Sequence, residues 1–344
     1  MNKPAIIGFD RRLGVGDIIA ALPALFVLKQ LYPEARLVFI TNKFGYYLCK
    51  NFDFIDRLLV QGEHFADGGG ALSKIIDEQG IDTLILAHRT SENIRLAKKS
   101  KARLIITWRH LHSLFSPRFK HPRHIKRQQR LEITRCLDLV RMINPKLYDE
   151  RYANLELKSL PVRIKTQPQN KAFVDEFIQK EGLKGKRLVG VSIFGLSSAA
   201  YNLAPKDWIE LIRALASEFK ELHFVFMNFK GSGYEFENFK EGNIKVFMND
   251  ENLLNLCELS SRLSLCISLS TGNIHIADNL GVPSIGFYPQ SDKVLFACGQ
   301  YGARFSPFYL PKHWAQEYEG YKRGFYEFCK LELESLEAKW KLYT

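Results

Sequence analysis

With 344 residues, 46% of them apolar and 25% charged, the chain has the composition of a folded globular protein and not of a disordered one. It exceeds what one hydrophobic core usually organises, so two domains of roughly 150 residues each are expected. A formal net charge of +12 favours polyanionic partners: nucleic acid, anionic lipid headgroups and nucleotide sugars all qualify.

Residues 5–9 read as a strand, residues 10–16 as a loop with two glycines, and Asp17 as the start of an apolar helix. Such a unit brings backbone N–H groups and a positive helix end to the carboxyl edge of a sheet, where open α/β sheets bind ligands. Gly14-Val15-Gly16 starts a dinucleotide fingerprint, but the third glycine position is Ile19, so that reading fails on its own motif. Taken locally, Asp17 is an N-cap. The first twenty residues carry Asp10, Arg11, Arg12 and Asp17 and no leader-like apolar stretch, and no run reaches the length of a spanning helix. Further β-branched and aliphatic runs at 37–41, 83–87 and 104–107 alternate with helical patterns, as in a parallel sheet flanked by helices.

Between Arg95 and Arg141 the residues Arg103, Arg109, Arg118, Lys120, Arg123, Lys126, Arg127 and Arg130 outnumber the acids, and His110, His112, His121 and His124 join them. This is either a solvated basic face or an anion-binding surface. Trp108, Phe115 and Phe119 are too few aromatics for a base-stacking groove, so no nucleic-acid partner is expected.

Residues 158–170 carry Pro161, Pro168 and polar side chains without periodicity, which places an interdomain boundary near 165. Strand-like runs resume at 187–194, 222–227, 245–247, 265–269 and 284–288. The loop after the first of these offers the hydroxyls of Ser197 and Ser198 as phosphate ligands. Ser270-Thr271-Gly272-Asn273 opens a helix containing His275, and small hydroxyl residues with glycine at a helix start suit a diphosphate. The alternative is that Ser270 or Thr271 caps the helix and His275 packs on the sheet. The tail from Gln316 to Thr344 is helical in pattern and expected to pack back on the core. Six scattered cysteines without a C-x-x-C pair read as reduced, buried thiols of a cytoplasmic protein.

Taken together, Arg12-Leu13-Gly14-Val15-Gly16-Asp17, Ala21-Leu22-Pro23-Ala24, Leu28-Lys29-Gln30-Leu31-Tyr32-Pro33, Ser270-Thr271-Gly272-Asn273-Ile274-His275-Ile276-Ala277 and Leu280-Gly281-Val282-Pro283 resemble the ADP-heptose:lipopolysaccharide heptosyltransferases, glycosyltransferase family 9. The resemblance implies an α/β chain of the GT-B type, with two facing Rossmann-like domains: residues 1–165 for the acceptor, 166–320 for the nucleotide sugar, and 321–344 a helix packing back on the core. It also implies an inverting, metal-independent transfer of a heptose or related sugar from ADP-heptose or a similar nucleotide sugar, without a cofactor. The acceptor would be the lipid A–Kdo inner core of bacterial lipopolysaccharide, reached by a cytoplasmic protein in peripheral contact with the anionic inner face of the inner membrane.

By this carry-over Asp17 is the general base, and Arg12, Gly16, Arg109 and Arg123 serve the acceptor. Ser270, Thr271, Gly272 and His275, with Ser197 and Ser198, hold the donor, and Glu235 holds its ribose. Two departures stand out. The family's D-T-G is Ser270-Thr271-Gly272 here, and its phosphate-binding lysine in K-x-W-P falls on Tyr201. An altered donor, or a homologue that binds sugar nucleotides without catalysis, therefore stays open.

Overall fold

The computed structural model describes residues 4–66, 70–123, 126–195, 199–232 and 241–342. The chain divides into two compact units, Met1–Lys165 and Thr166–Thr344.

In the first unit, strands and helices alternate: β1 (Ile6–Asp10), α1 (Val15–Leu31), β2 (Arg36–Thr41), α2 (Lys43–Cys49), β3 (Arg57–Val60), α3 (Ala71–Glu78), β4 (Thr83–Leu86), α4 (Ser91–Lys99), β5 (Leu104–Ile106), β6 (Phe119–Lys120), α5 (Glu132–Arg141) and α6 (Pro145–Tyr152). The six strands form a parallel sheet in the order β3-β2-β1-β4-β5-β6. This is the doubly wound order, in which the chain reverses direction across the sheet between β1 and β4, and the crevice outside the carboxyl ends of those strands is the usual ligand position. Helix α1 is buried on all sides from Ile18 to Leu25, which explains why it is apolar all round and not striped. It begins at Val15 with Gly14 at the N-cap, whose carbonyl accepts from Ile18 N at 3.1 Å. Asp17 therefore lies in the first turn, which corrects the local reading of it as the cap.

The second unit repeats the plan: α7 (Pro168–Lys180), β7 (Arg187–Ser192), α8 (Pro205–Glu218), β8 (Leu222–Phe229), β9 (Ile244–Asn249), α9 (Leu253–Ser261), β10 (Leu265–Leu269), α10 (Gly272–Leu280), β11 (Ser284–Pro289), α11 (Asp292–Leu295), β12 (Phe305–Leu310) and α12 (Tyr318–Leu342). Its sheet is parallel in the order β12-β11-β10-β7-β8-β9, which puts its reversal point between β7 and β10. The core gathers Trp208 of α8, Phe287 of β11 and Phe325 of α12, with ring centroids 4.7 to 6.0 Å apart. Phe325, Cys329, Leu333 and Leu336 all face into it, so α12 is part of the unit's core. Three strands have no counterpart in the sequence pattern: β3, β6 and β12. Each is an edge strand, paired on one side only, and β12 carries Pro307, a residue the middle of a sheet excludes.

All six cysteines are buried and free. Among the described residues no helix is long and apolar enough to cross a membrane.

Candidate active site

The loop after β1 is organised by one buried cation. Arg11 is 1% exposed, and its guanidinium donates to Asp17 Oδ1 at 2.5 Å, to Glu132 Oε1 at 2.6 Å and to the carbonyl of Ala87, just past β4, at 2.7 Å. Glu132, the first residue of α5, also accepts from Arg135 at 2.9 Å, and the Arg135 guanidinium lies 4.4 Å from the Trp108 ring centroid. Two cations and two carboxylates thus balance, which is what permits burial of so much charge. Burial alone works against the Arg11 charge, but Cys136, Glu132 and Asp17 outweigh it, and the pKa is raised. Burial likewise pushes the Glu132 carboxyl up, yet Arg11 and Arg135 pull it below the ordinary carboxylate value. The Asp17 side chain stays 20% exposed. Its Oδ2 lies 3.6 Å from the point a Cβ at Gly14 would occupy, so the missing side chain leaves that oxygen uncovered.

The other residues assigned to the acceptor fall into different roles. The Arg12 side chain is 6% exposed and forks onto Asp10, Nε to Oδ1 at 2.7 Å and Nη2 to Oδ2 at 3.0 Å, so these two donors are committed to the loop itself. Gly16 is the second residue of α1, in the turn whose N–H groups lack helical acceptors. Arg109 and Arg123 are exposed on the basic stretch, and the Arg109 carbonyl accepts from Arg89 at 2.5 Å. His88, between β4 and α4, lies close to Asp10, Arg12, Arg11 and Asp17. Burial chiefly lowers its pKa, so it is neutral at pH 7, and Nδ1 is buried without a partner among the described residues.

The loop after β10 is assembled from neutral groups. Thr271 occupies the N-cap of α10 without making a side-chain cap, so the first N–H groups of the helix stay open, and Gly272 adds no side chain beside them. The Thr271 hydroxyl instead meets Ser268 Oγ at 3.3 Å, and Asn273 donates across the reversal point to Ser192 Oγ of β7 at 2.5 Å. His275 sits in the first turn against Cys298, Nδ1 to Sγ 3.5 Å, and edge-on to Phe296. Burial pushes its pKa down to about 4, so the imidazole is neutral at pH 7. In the tautomer in which Nδ1 accepts from the thiol, Nε2–H is the remaining donor.

Ser270 stands where the resembled motif has an acid, but the site holds a carboxylate there all the same. Ser270 Oγ donates to Asp292 Oδ2 at 2.6 Å, and Asp292 opens α11 directly after β11. The sequence offered no signal for this, because 22 residues separate the pair. The segment aligned with the phosphate-binding lysine is structural: Asn202 bridges the Ile193 carbonyl and the Trp208 indole at 3.0 and 2.8 Å, and the Ala204 N–H donates to Tyr318 at 2.7 Å. Ser197, Ser198 and Glu235, assigned to the donor, lie outside the described residues.

No family model matches the chain. A protein of Haemophilus influenzae named "Putative glycosyltransferase" is 25% identical over 306 residues, 85% of this chain and 83% of that protein. Among solved structures, the glycosyl transferase family 9 protein of Veillonella parvula superposes with a TM-score of 0.72 at 17% identity, covering 92% of this chain and 87% of its own. E. coli ADP-heptose LPS heptosyltransferase II gives 0.63 at 14% identity, covering 89% of each chain. E. coli heptosyltransferase WaaC with ADP gives 0.59 at 15% identity, covering 91% of this chain and 96% of that one. The chain therefore has the two-domain α/β fold of the GT-B type seen in the heptosyltransferases of glycosyltransferase family 9.

Proposed function

We propose that the protein is a glycosyltransferase that moves a heptose, or a closely related sugar, from an ADP-sugar to the lipid A–Kdo inner core of lipopolysaccharide. The observation that carries this reading is the placement of both motif loops at reversal points: the Asp17 loop in the first sheet and the Thr271–Gly272–His275 loop in the second. The names of the family 9 and heptosyltransferase structures, two of which were solved with ADP or an ADP-sugar, support the substrate class.

In the reaction, Asp17 takes the proton of the acceptor hydroxyl as that oxygen attacks the anomeric carbon, and the C–O bond to the diphosphate breaks with its electrons leaving on phosphate oxygen. The proton goes to Asp17 Oδ2, the oxygen that Arg11 does not bind. Arg11, held by Glu132 and the Ala87 carbonyl, fixes the carboxylate in one orientation, a positioning role. The open N–H groups at the start of α10 and the Nε2–H of neutral His275 meet the charge that develops on the leaving diphosphate. Asp292, presented through Ser270, accepts hydrogen bonds from sugar hydroxyls in place of the motif's missing acid. This favours an active enzyme over a binding homologue without catalysis.

The test is incubation with ADP-heptose and a truncated core lipid ending in Kdo, followed by mass measurement of the lipid. One added heptose is expected. No addition, alongside a heptosyltransferase control that succeeds, would remove heptose from the reading, and a panel of other ADP-sugars would then decide the donor.

A further inference from the structure

Three large exposed hydrophobic side chains fall within five consecutive residues: Leu111, 68% exposed, Leu114, 50%, and Phe115, 86%. Single exposed apolar residues are ordinary, but a compact group at a loop tip is not. The turn that carries them is well anchored. Ser113, buried between them, exchanges hydrogen bonds with the backbone of His110 at 2.7 and 3.2 Å, and His110 meets Ser91 of α4 at 3.2 Å. On the far side, Arg118 donates to the carbonyls of Ser100 and Ala102 at 2.7 and 2.8 Å and to that of Lys98, tying the loop to the end of α4. The apolar tip is therefore held outward by a fixed base.

Its surroundings are cationic. Arg89, Arg109, His112, Arg123, Lys126 and Arg127 are exposed, no Asp or Glu occurs between Arg95 and Leu131, and Glu92 in the first turn of α4 is an exposed acid beside Ser91. The loop leaves the carboxyl end of β5, and β5 runs parallel to β4 and β1, so it rises from the same sheet edge as the Asp17 loop.

We propose that residues 109–123 form a membrane-docking wedge, in which Leu111, Leu114 and Phe115 enter the boundary between headgroups and acyl chains of an anionic bilayer while Arg89, Arg109 and Arg123 lie among the lipid phosphates. Apolar insertion combined with a strong local excess of exposed cations is the chemistry of an anionic phospholipid surface. A second copy of the chain would bring the same positive charge to the contact and be repelled. The proposal deepens the lipid-acceptor reading above, but its test needs neither donor nor acceptor. Its failure therefore leaves sugar transfer standing.

The experiment is cosedimentation of the full chain with vesicles of phosphatidylcholine alone and of phosphatidylcholine with phosphatidylglycerol. Binding is expected only with phosphatidylglycerol, weakening as salt is raised. The variant L111S/L114S/F115S, whose side chains contribute nothing to the core, should keep its thermal unfolding and partition about tenfold less or lower. Arg109→Glu with Arg123→Glu should lower binding as well. A Phe115→Trp variant should gain quenching by brominated phosphatidylglycerol over the parent. Equal binding by the triple serine variant, absence of parental binding, or loss of a dimer in that variant without any vesicle binding would each overturn the proposal.

Discussion

The loop after β1 and the loop after β10 both lie at the reversal point of a six-stranded doubly wound sheet, yet opposite kinds of interaction build them. The first is a buried relay of full charges running from Trp108 and Arg135 through Glu132 and Arg11 to Asp17. The second is made mainly of neutral groups, a serine, a threonine, an asparagine, a thiol and a neutral imidazole around an uncapped helix start, with the Asp292 carboxylate bound to the serine. In the proposed reaction the difference follows from what each loop would face. A carboxylate that must receive a proton in one geometry gains from a partner that cannot itself give one up, and a guanidinium meets that requirement. A pocket for a diphosphate needs N–H donors, with no competing internal acceptors drawing them away.

The largest expected effect breaks the first region. Asp17→Asn should lower turnover by about a hundred- to ten-thousandfold while leaving the affinity for an ADP-sugar, measured by calorimetry, unchanged. A variant as active as the parent would show that Asp17 is not the base. Glu132→Ala leaves Arg11 buried with one carboxylate fewer, and should destabilise the first unit by roughly 3 to 5 kcal/mol, read as a lower chemical-denaturation midpoint. Destabilisation below about 1 kcal/mol would mean that water reaches Arg11 and the relay is not closed.

The second region should show itself first in the pH dependence of stability. His275, pushed down from 6.5 to about 4, contributes stability that is present above pH 6.5 and lost as pH falls through 4. Asp278 on the same helix, raised by burial from 3.8 to about 6 against the backbone N–H groups of Gln300 and Tyr301, works the other way: its contribution is present below pH 3.8 and lost as pH rises through 6. Displacements of this size correspond to on the order of 3 kcal/mol each, so the two nearly cancel between pH 4 and 6 in the parent. His275→Gln should unmask stability that rises as pH falls through this window, and Asp278→Asn the reverse. Identical pH profiles for the two variants would contradict the assignment.

The smallest effect sharpens the comparison on the donor side. Asp292→Ala should weaken ADP-sugar binding by ten- to a hundredfold, about 1.5 to 3 kcal/mol, with plain ADP affected much less because Asp292 is assigned to the sugar. Equal weakening of ADP and ADP-sugar would move Asp292 to the nucleotide.

Much of this was legible in the chain because it is local. Strand, glycine loop and helix succeed one another within residues 6–31, and the Ser270–His275 loop is likewise bounded by β10 and α10. Buried central strands such as Leu265–Leu269 show as continuous apolar runs, since both faces are covered. The edge strands β3, β6 and β12 did not show, because a strand paired on one side and partly wet needs no such run.

By itself, the sequence determined the alternation that winds two parallel sheets, the loops that meet their carboxyl edges, and the residue types placed on those loops. Only the tertiary structure decided what those residues can do. Arg11 meets Glu132 across 121 positions and Ser270 meets Asp292 across 22, and pairings of that range leave no periodicity in the chain. They also set the surroundings of single groups: Arg12 is turned inward to Asp10, Arg11 holds Asp17, and a carboxylate stands beside Ser270. The physical reason is burial, which makes the partner of each polar group obligatory while saying nothing of where in the chain that partner lies.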